Sequence, residues 1–432
     1  MSSVVLKGGE VIDQTGRRIA DVVVNTANGQ VVEVGNGLSG DSVLDAEGCV
    51  VSKGFVDLHV HLRQPGLEAA ETIETGSRAA ALGGYTAVVT MPNTTPCTDS
   101  ASVVNEVLRW GESALCEIKP SAAISVGREG HELAPMAELA GLGVRMFTDD
   151  GTGVQDDAIM RRALEYASGI PTSDQKPIVL SQHCEAVALS AGGVMHEGEW
   201  SAKLGLGGQP SEAEELMVMR DIVLSRLTGG RVHMQHLSTA GSVEMVRKAK
   251  ADGLLVTAEA TTHHCLLTDA ACASYGTEFK VHPPLRTESD VAAVRAGLAD
   301  GTIDAIATDH APHTPESKER PFDSAPPGML GVETAYALVN SELDLPLETI
   351  LDRMSWTPAK IAGLDPAQGG QIAPGMAANL VVLDPAFEWV IEGKRLASKA
   401  NNTPYEGRTV TGKARHTLYR GEVVVQDGKA TR

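Results

Sequence analysis

The run GFVDLHVHLR, Gly54 to Arg63, carries a strand-like apolar pattern into two histidines, His59 and His61. At positions i and i+2 of a strand both imidazoles point to the same face. Two ligands fixed at one strand end seat a divalent metal such as zinc. Any fold for this chain must therefore bring further donors to that strand end.

The rest of the middle region meets that demand with a regular alternation. Strand patterns recur at Phe55–Leu62, Thr86–Pro92, Ala122–Val126, Val144–Asp149, Ile178–His183, Val232–Leu237, Leu254–Thr262 and Ile303–Asp309. Helical patterns such as DDAIMRRALEYAS and EAEELMVMRDIVLSRL lie between them. Eight strands and intervening helices over about 260 residues match a (β/α)8 TIM barrel in number and size. An open doubly wound sheet is the alternative. Polar residues stand at the C-terminal ends of nearly all these strands, where barrel enzymes place their sites, which favours the barrel. Both ends of the chain instead read as short alternating strands punctuated by Gly and Asn. The expected organisation is a barrel over residues 53–372 and a small β-sandwich domain built from both termini, residues 1–52 and 373–432.

Composition narrows the function classes. The chain has 432 residues and a formal net charge of −20. That argues against nucleic acid and anionic membrane surfaces as partners, and it requires a local positive site for any acidic substrate. The N-terminus has no basic segment followed by an apolar core, so no signal peptide is expected. No uninterrupted apolar stretch is long enough to span a membrane. The six cysteines are scattered without a CxxC pair, which suits free thiols in the cytoplasm. Cys184 reads as a small buried hydrophobe.

Of thirteen histidines, all but His131, His196, His282 and His416 lie on or just after candidate strands. Asp150 ends the fourth strand in FTDDG, His183 the fifth in SQHCE, His236 the sixth in VHMQHLS and Asp309 the eighth in IATDHAPH. With His59 and His61 they bring four imidazoles and two carboxylates to one barrel mouth. Nitrogen and oxygen donors of this kind suit zinc, and also manganese or cobalt. The polar, proline-rich segment 314–328 reads as a loop at the barrel mouth that serves as a lid.

The motifs HVHLRQPG, VTMPNT, FTDDG, QHCE, HLST, KVHPPLR and IATDHAPH, in this order, resemble the amidohydrolase superfamily and, within it, dihydroorotases of the class I type. The resemblance spans residues 5 to about 428. The HxH pair alone indicates only the superfamily, whereas Arg63, MPNT and DHAPH are more specific. The resemblance implies one or two Zn2+ per subunit. His59 and His61 would hold the first, His183 and His236 the second, and Asp150 would bridge them. Asp309 would ligate the first metal and act as catalytic acid and base. His61, Arg63, Asn93, His282, His313 and the backbone at Pro327 and Gly328 would hold substrate. Many relatives bridge their metals with a carbamylated lysine on the fourth strand. Here no lysine lies between Lys119 and Lys176, which leaves an aspartate, Asp149 or Asp150.

The implied reaction is the reversible cyclisation of N-carbamoyl-L-aspartate to L-dihydroorotate in de novo pyrimidine (UMP) biosynthesis. Arg63 suits it, since a guanidinium clamps a carboxylate bidentately. The implied associations are a homodimer and aspartate transcarbamoylase. Three positions depart from the family pattern: His282 stands where asparagine is usual, Gln64 where glutamate is common, and TTHH replaces TPHH. Two other readings stand beside this one. A hydantoinase- or allantoinase-like enzyme is opposed by Arg63 and the missing lysine. A catalytically silent scaffold for aspartate transcarbamoylase is opposed by the complete ligand set.

Overall fold

The computed structural model describes residues 3–172 and 174–432. Eight parallel strands form the barrel wall: Phe55–Val60, Tyr85–Thr90, Glu117–Pro120, Met146–Phe147, Val179–Gln182, Val232–Met234, Val256–Thr261 and Ala305–Ala307. Pairing is continuous from the first to the third strand and from the fourth to the eighth. Single bridges, Ala122 to Phe147 and Val60 to His310, join these two arcs into a ring. A closed ring leaves no unpaired strand edge. The strands are buried along almost their whole length, as expected of a parallel sheet covered by helices.

The helices begin where the sequence supplies caps. Thr72 opens the Ile73–Leu82 helix, accepting from the Thr75 N–H while the Thr75 hydroxyl returns to the Thr72 N–H. Asp156 opens Asp157–Gly169 by accepting from the N–H groups of Ala158 and Ile159. Each such cap contributes about 1 kcal/mol.

One strand lies elsewhere than the pattern suggests. The third barrel strand is Glu117–Pro120, whereas the apolar run predicts Ala122–Val126. Glu117 and Lys119 face outward as an ion pair, so the paired segment looks polar in sequence. Ala122, Ala123 and Ile124 are buried because the chain folds inward beyond the strand end. The Asp149 carboxylate there accepts from the N–H groups of Ile124 and Ser125. Burial without ladder pairing mimics a strand in sequence.

Strands from both ends of the chain make one nine-stranded sheet. Leu380–Val390 pairs antiparallel with Val50–Lys53, beside the point where the chain enters the barrel. Asp13 adds a second stitch. Its carboxylate accepts from Arg18 at 2.9 Å, from the Thr15 N–H at 2.8 Å and from the Ile372 N–H at 2.8 Å. Burial alone would raise its pKa, but Arg18, Thr15 and the Ile372 N–H bring it from 3.8 down to about 2. The folded value lies below the unfolded one. The carboxylate therefore stabilises the fold by about 2 kcal/mol above roughly pH 4, and this is lost as pH falls towards 2. Denaturant unfolding of wild type and Asp13→Asn should show that gap at neutral pH and its narrowing below pH 4. A gap independent of pH would mean that the charge contributes nothing.

Among the described residues, all six cysteines are free, with Cys184 buried in the core, and no helix is long and apolar enough to cross a membrane.

Candidate active site

The donors sit at or just beyond the C-terminal ends of the barrel strands. His59 lies within the first strand and is fully buried. Its Nδ1 is 2.9 Å from Glu259 Oε1 on the seventh strand. With the proton on Nδ1, the Nε2 lone pair faces inward, 3.3 Å from Asp150 Oδ1 and 3.4 Å from Asp309 Oδ1. His61 repeats the arrangement. Its Nδ1 donates to Asn93 Oδ1 at 2.9 Å, and its Nε2 lies 2.9 Å from Asp309 Oδ1. Asn93 Nδ2 in turn donates to Asp150 Oδ2 at 3.0 Å. On the other side, His183 Nε2 is 3.1 Å from Glu185 Oε2, which turns Nδ1 toward His236 Nε2 at 3.0 Å and Asp150 Oδ1 at 3.7 Å.

Two donor sets result, His59–His61–Asp150 and Asp150–His183–His236, with Asp150 common to both. This is a binuclear metal-binding site. His59 Nε2 is buried without any hydrogen-bond partner, and an unpaired buried nitrogen of this kind is costly unless a cation takes its lone pair. The donor set of imidazoles and carboxylates fits a divalent metal. Burial would raise the pKa of Asp150, but the facing His59, His61 and His183 hold it well below the usual carboxylate range.

The two aspartates of FTDDG divide their work. Asp149 accepts from the Ile124 and Ser125 N–H groups and from the Ser125 hydroxyl, and so pins the loop after the third strand. Asp150 faces the histidines.

Three of these positions have backbones in the left-handed region: Arg63 (φ 61°), His236 (φ 32°) and Asp309 (φ 45°). Non-glycine residues are uncommon there and incur strain, which surrounding structure must hold. All three follow barrel strands, and the turn aims each side chain across the mouth. Alternation along the strand thus does not explain why Arg63 faces the site, because pairing has ended at Val60 and the chain has turned.

A pocket of about 180 Å3 opens above the donors. His61, Arg63, Asn93, Asp150, His183, His236, His282, Asp309, His313, Pro327 and Gly328 all line it, while His59 lies beneath. Arg63 Nε donates to the Pro312 carbonyl at 3.1 Å, and Nη2 lies 3.3 Å from His313 Nε2. Nη1 has no hydrogen bond among the described residues. Burial and the charge of Arg63 push the His313 pKa down to about 3, so its imidazole is neutral, and Nε2–H donates to the Pro327 carbonyl at 2.8 Å. His282 Nε2 lies 2.5 Å from Glu185 Oε2, close enough for an ion pair but not aligned as a hydrogen bond.

Segment 314–328 contains a short helix, Pro315–Lys318, and is tied down over the mouth. Lys318 Nζ donates to the carbonyls of Pro326 and Gly328, and Lys280 Nζ to those of Phe322 and Asp323. Gly328 has φ +133°, and a Cβ there would come within 2.9 Å of His313 Nε2. Only glycine lets the backbone approach the pocket this closely.

Sequence reasoning missed the carboxylates behind the ligands. Glu259 bonds His59 through one oxygen and His233 through the other, at 2.9 and 3.1 Å. Glu185 does the same for His183 and approaches His282. The available signal was a charged residue at an inward position of a strand, VTAEAT, since an inward charge needs a buried partner. Glu259→Gln should weaken metal affinity by about 10–100-fold, because a neutral amide polarises His59 less. Metal titration against a competing chelator measures this. Unchanged affinity would show that Glu259 only fills space.

Comparison with known proteins agrees with this geometry. Residues 48–242 match the family described as dihydro-orotase-like, and residues 270–425 match the amidohydrolase family. The dihydroorotase of Streptomyces coelicolor is 47% identical over a 441-residue alignment covering 100% of both chains. That of Pelotomaculum thermopropionicum is 46% identical over 429 residues, 98% of each chain. Among solved structures, the L-hydantoinase (dihydropyrimidinase) from Arthrobacter aurescens superposes with a TM-score of 0.89 at 24% identity, covering 100% of this chain and 98% of that one. Dihydropyrimidinase from Brevibacillus agri gives 0.85 at 23%, covering 99% and 96%. At that identity the likeness speaks for the fold alone. The extent and level of identity to the sequence relatives, together with the paired donor sets, place the chain in the dihydroorotase family of metal-dependent cyclic amidohydrolases.

Proposed function

We propose that this enzyme interconverts N-carbamoyl-L-aspartate and L-dihydroorotate, with zinc as its metal. The observation that carries the reading is the placement of Arg63 and Asn93 on the same small pocket as both donor sets and Asp309. Metals held by His59, His61, Asp150, His183 and His236 would acidify water and draw charge from an amide carbonyl. The chain's own residues do the rest. The Arg63 guanidinium, with a free Nη1, fixes the substrate carboxylate, and His313, whose Nε2–H is held by the Pro327 carbonyl, lines the wall of the pocket beside it. His282 and the backbone at Pro327 and Gly328 orient the ring. In hydrolysis Asp309 takes the proton of the attacking water and delivers it to the ring nitrogen as the C–N bond breaks. In cyclisation the same carboxylate runs the sequence backwards and water leaves.

The free cysteines support a cytoplasmic location. The pairing of Val50–Lys53 with Leu380–Leu383 supports a division of the chain near residues 52 and 372. Homodimer formation and association with aspartate transcarbamoylase belong to the same proposal, on the strength of the family resemblance.

The test is an assay of zinc-loaded protein with L-dihydroorotate, following the loss of its ultraviolet absorbance, before and after chelation. Turnover should vanish on chelation and return with zinc. Turnover of a hydantoin but not of L-dihydroorotate would overturn the substrate assignment.

A further inference from the structure

An excursion of the terminal sheet reaches the active site. Strands Leu380–Val390 and Thr409–Tyr419 pair antiparallel as far as Val390 and Thr409. A tight hairpin turn of about 2–5 residues would join them. Residues 391–408 instead leave the sheet and cross to the loops that follow the first and eighth barrel strands. The Ala397 N–H donates to Glu333 Oε2 at 2.7 Å, and the Lys399 N–H to Glu71 Oε1 at 3.3 Å. The Ser398 hydroxyl bonds the other Glu71 oxygen, and Lys399 Nζ the Glu68 carbonyl. Ser398, Ala400 and Asn402 are buried. A strand connection buried and bonded in this way does more than join two strands.

Asn402 is where this strap meets the pocket wall. Its Nδ2 donates to the Ala311 carbonyl at 3.1 Å and to the Gly328 carbonyl at 3.2 Å. Its Oδ1 accepts from the His313 N–H at 3.1 Å. Its own carbonyl accepts from the Leu330 N–H at 3.1 Å. Ala311, His313 and Gly328 line the pocket, and Asn402 stands behind them. Only a primary amide offers two donors and an acceptor on so short a stem. A carboxylate there would face two carbonyl oxygens with no proton to give. The bonds to Ala311 and His313 bracket Pro312, whose carbonyl accepts from Arg63 Nε at 3.1 Å. Fixing the groups on both sides of Pro312 fixes that carbonyl, and the carbonyl sets the plane of the guanidinium. The bond to Gly328 draws the end of segment 314–328 against the same wall, where Lys318 Nζ holds the same carbonyl at 3.0 Å.

We propose that Asn402 is a positioning residue for substrate binding: by bracketing Pro312 it holds the Arg63 guanidinium at the angle from which it takes the substrate carboxylate. The inference rests on the substrate reading above for its kinetic probe, L-dihydroorotate. Steady-state kinetics on the zinc-loaded full chain, with metal content measured alongside, tests it. Asn402→Ala should raise KM about tenfold, with kcat changed less than about threefold and bound metal unchanged. In an Arg63→Lys background the same substitution should change KM less than about twofold, because the guanidinium it positions is gone. Asn402→Asp keeps the acceptor for the His313 N–H and loses both donors, so its KM should lie between wild type and Asn402→Ala. If Asn402→Ala folds poorly, Asn402→Ser, which keeps one donor, replaces it and should show the same dependence on Arg63. A KM effect of equal size in both backgrounds would overturn the link to Arg63. So would a fall in kcat and metal content with KM unchanged. Hydrogen exchange reads the bracket without substrate: the His313 amide should exchange about fivefold faster in Asn402→Ala and stay protected in Asn402→Asp. Unchanged exchange in Asn402→Ala would overturn the bracket itself. A wild type inactive on L-dihydroorotate, with exchange faster in Asn402→Ala, would sink the substrate reading and leave the bracket standing.

Discussion

Asp309→Asn should lower kcat by about 1,000-fold, within the range lost when a positioned acid–base group is removed. The carboxylate oxygen lies 2.9 Å from His61 Nε2 and 3.4 Å from His59 Nε2, at the edge of the pocket, where it can reach both water and substrate nitrogen. Asparagine is the informative replacement. Asp309 has φ 45°, a conformation that Asn tolerates better than Ala, so Asp309→Ala adds backbone strain of about 1 kcal/mol to the chemical loss. Asp309→Ala should also be inactive, with a somewhat lower unfolding midpoint than Asp309→Asn. Metal content measured beside kcat separates loss of the proton carrier from loss of metal. An Asp309→Asn enzyme with both metals and near-normal kcat would remove Asp309 from the acid–base role.

Arg63→Lys should raise KM for L-dihydroorotate about 100-fold, equivalent to about 3 kcal/mol of lost binding, with a smaller change in kcat. A guanidinium can donate to the Pro312 carbonyl through Nε while other N–H groups face the pocket. An ammonium on a flexible stem cannot hold both directions at once. Burial lowers the Arg63 pKa, yet arginine remains charged at any working pH, so a cationic group stays beside the carboxylates of Asp150 and Asp309. Steady-state kinetics with a substrate lacking the carboxylate completes the test. If Arg63 binds that group, the wild-type advantage over Arg63→Lys should disappear with the truncated substrate.

The candidate donors were legible because each sits at the end of a strand pattern. His59 and His61, His183, His236 and Asp309 follow apolar runs whose number and spacing already imply a barrel. A local period of two or 3.6 residues writes itself into sequence, since burial on one face selects apolar residues at that period. Glu259 and Glu185 were not legible as partners. Nothing near Glu259 in sequence announces that His59, two hundred positions away, needs its Nδ1 proton held. The third strand was misplaced for a related reason. Ile124 is buried by an inward loop that Asp149 fastens, and a buried loop leaves the same apolar trace as a strand.

By itself, then, the sequence determined the strand count and the histidines, aspartates and arginine that stand at the strand ends as candidates, because these follow from residue type and local spacing. Only the tertiary structure decided which aspartate of the pair faces the histidines, how bridges at Ala122 and Val60 close the ring, and which carboxylates set the histidine tautomers. It also decided that Arg63 reaches the pocket through a left-handed turn rather than along a strand. Those outcomes depend on contacts between segments far apart in the chain. Such contacts are selected for shape and charge in three dimensions and leave no period along one.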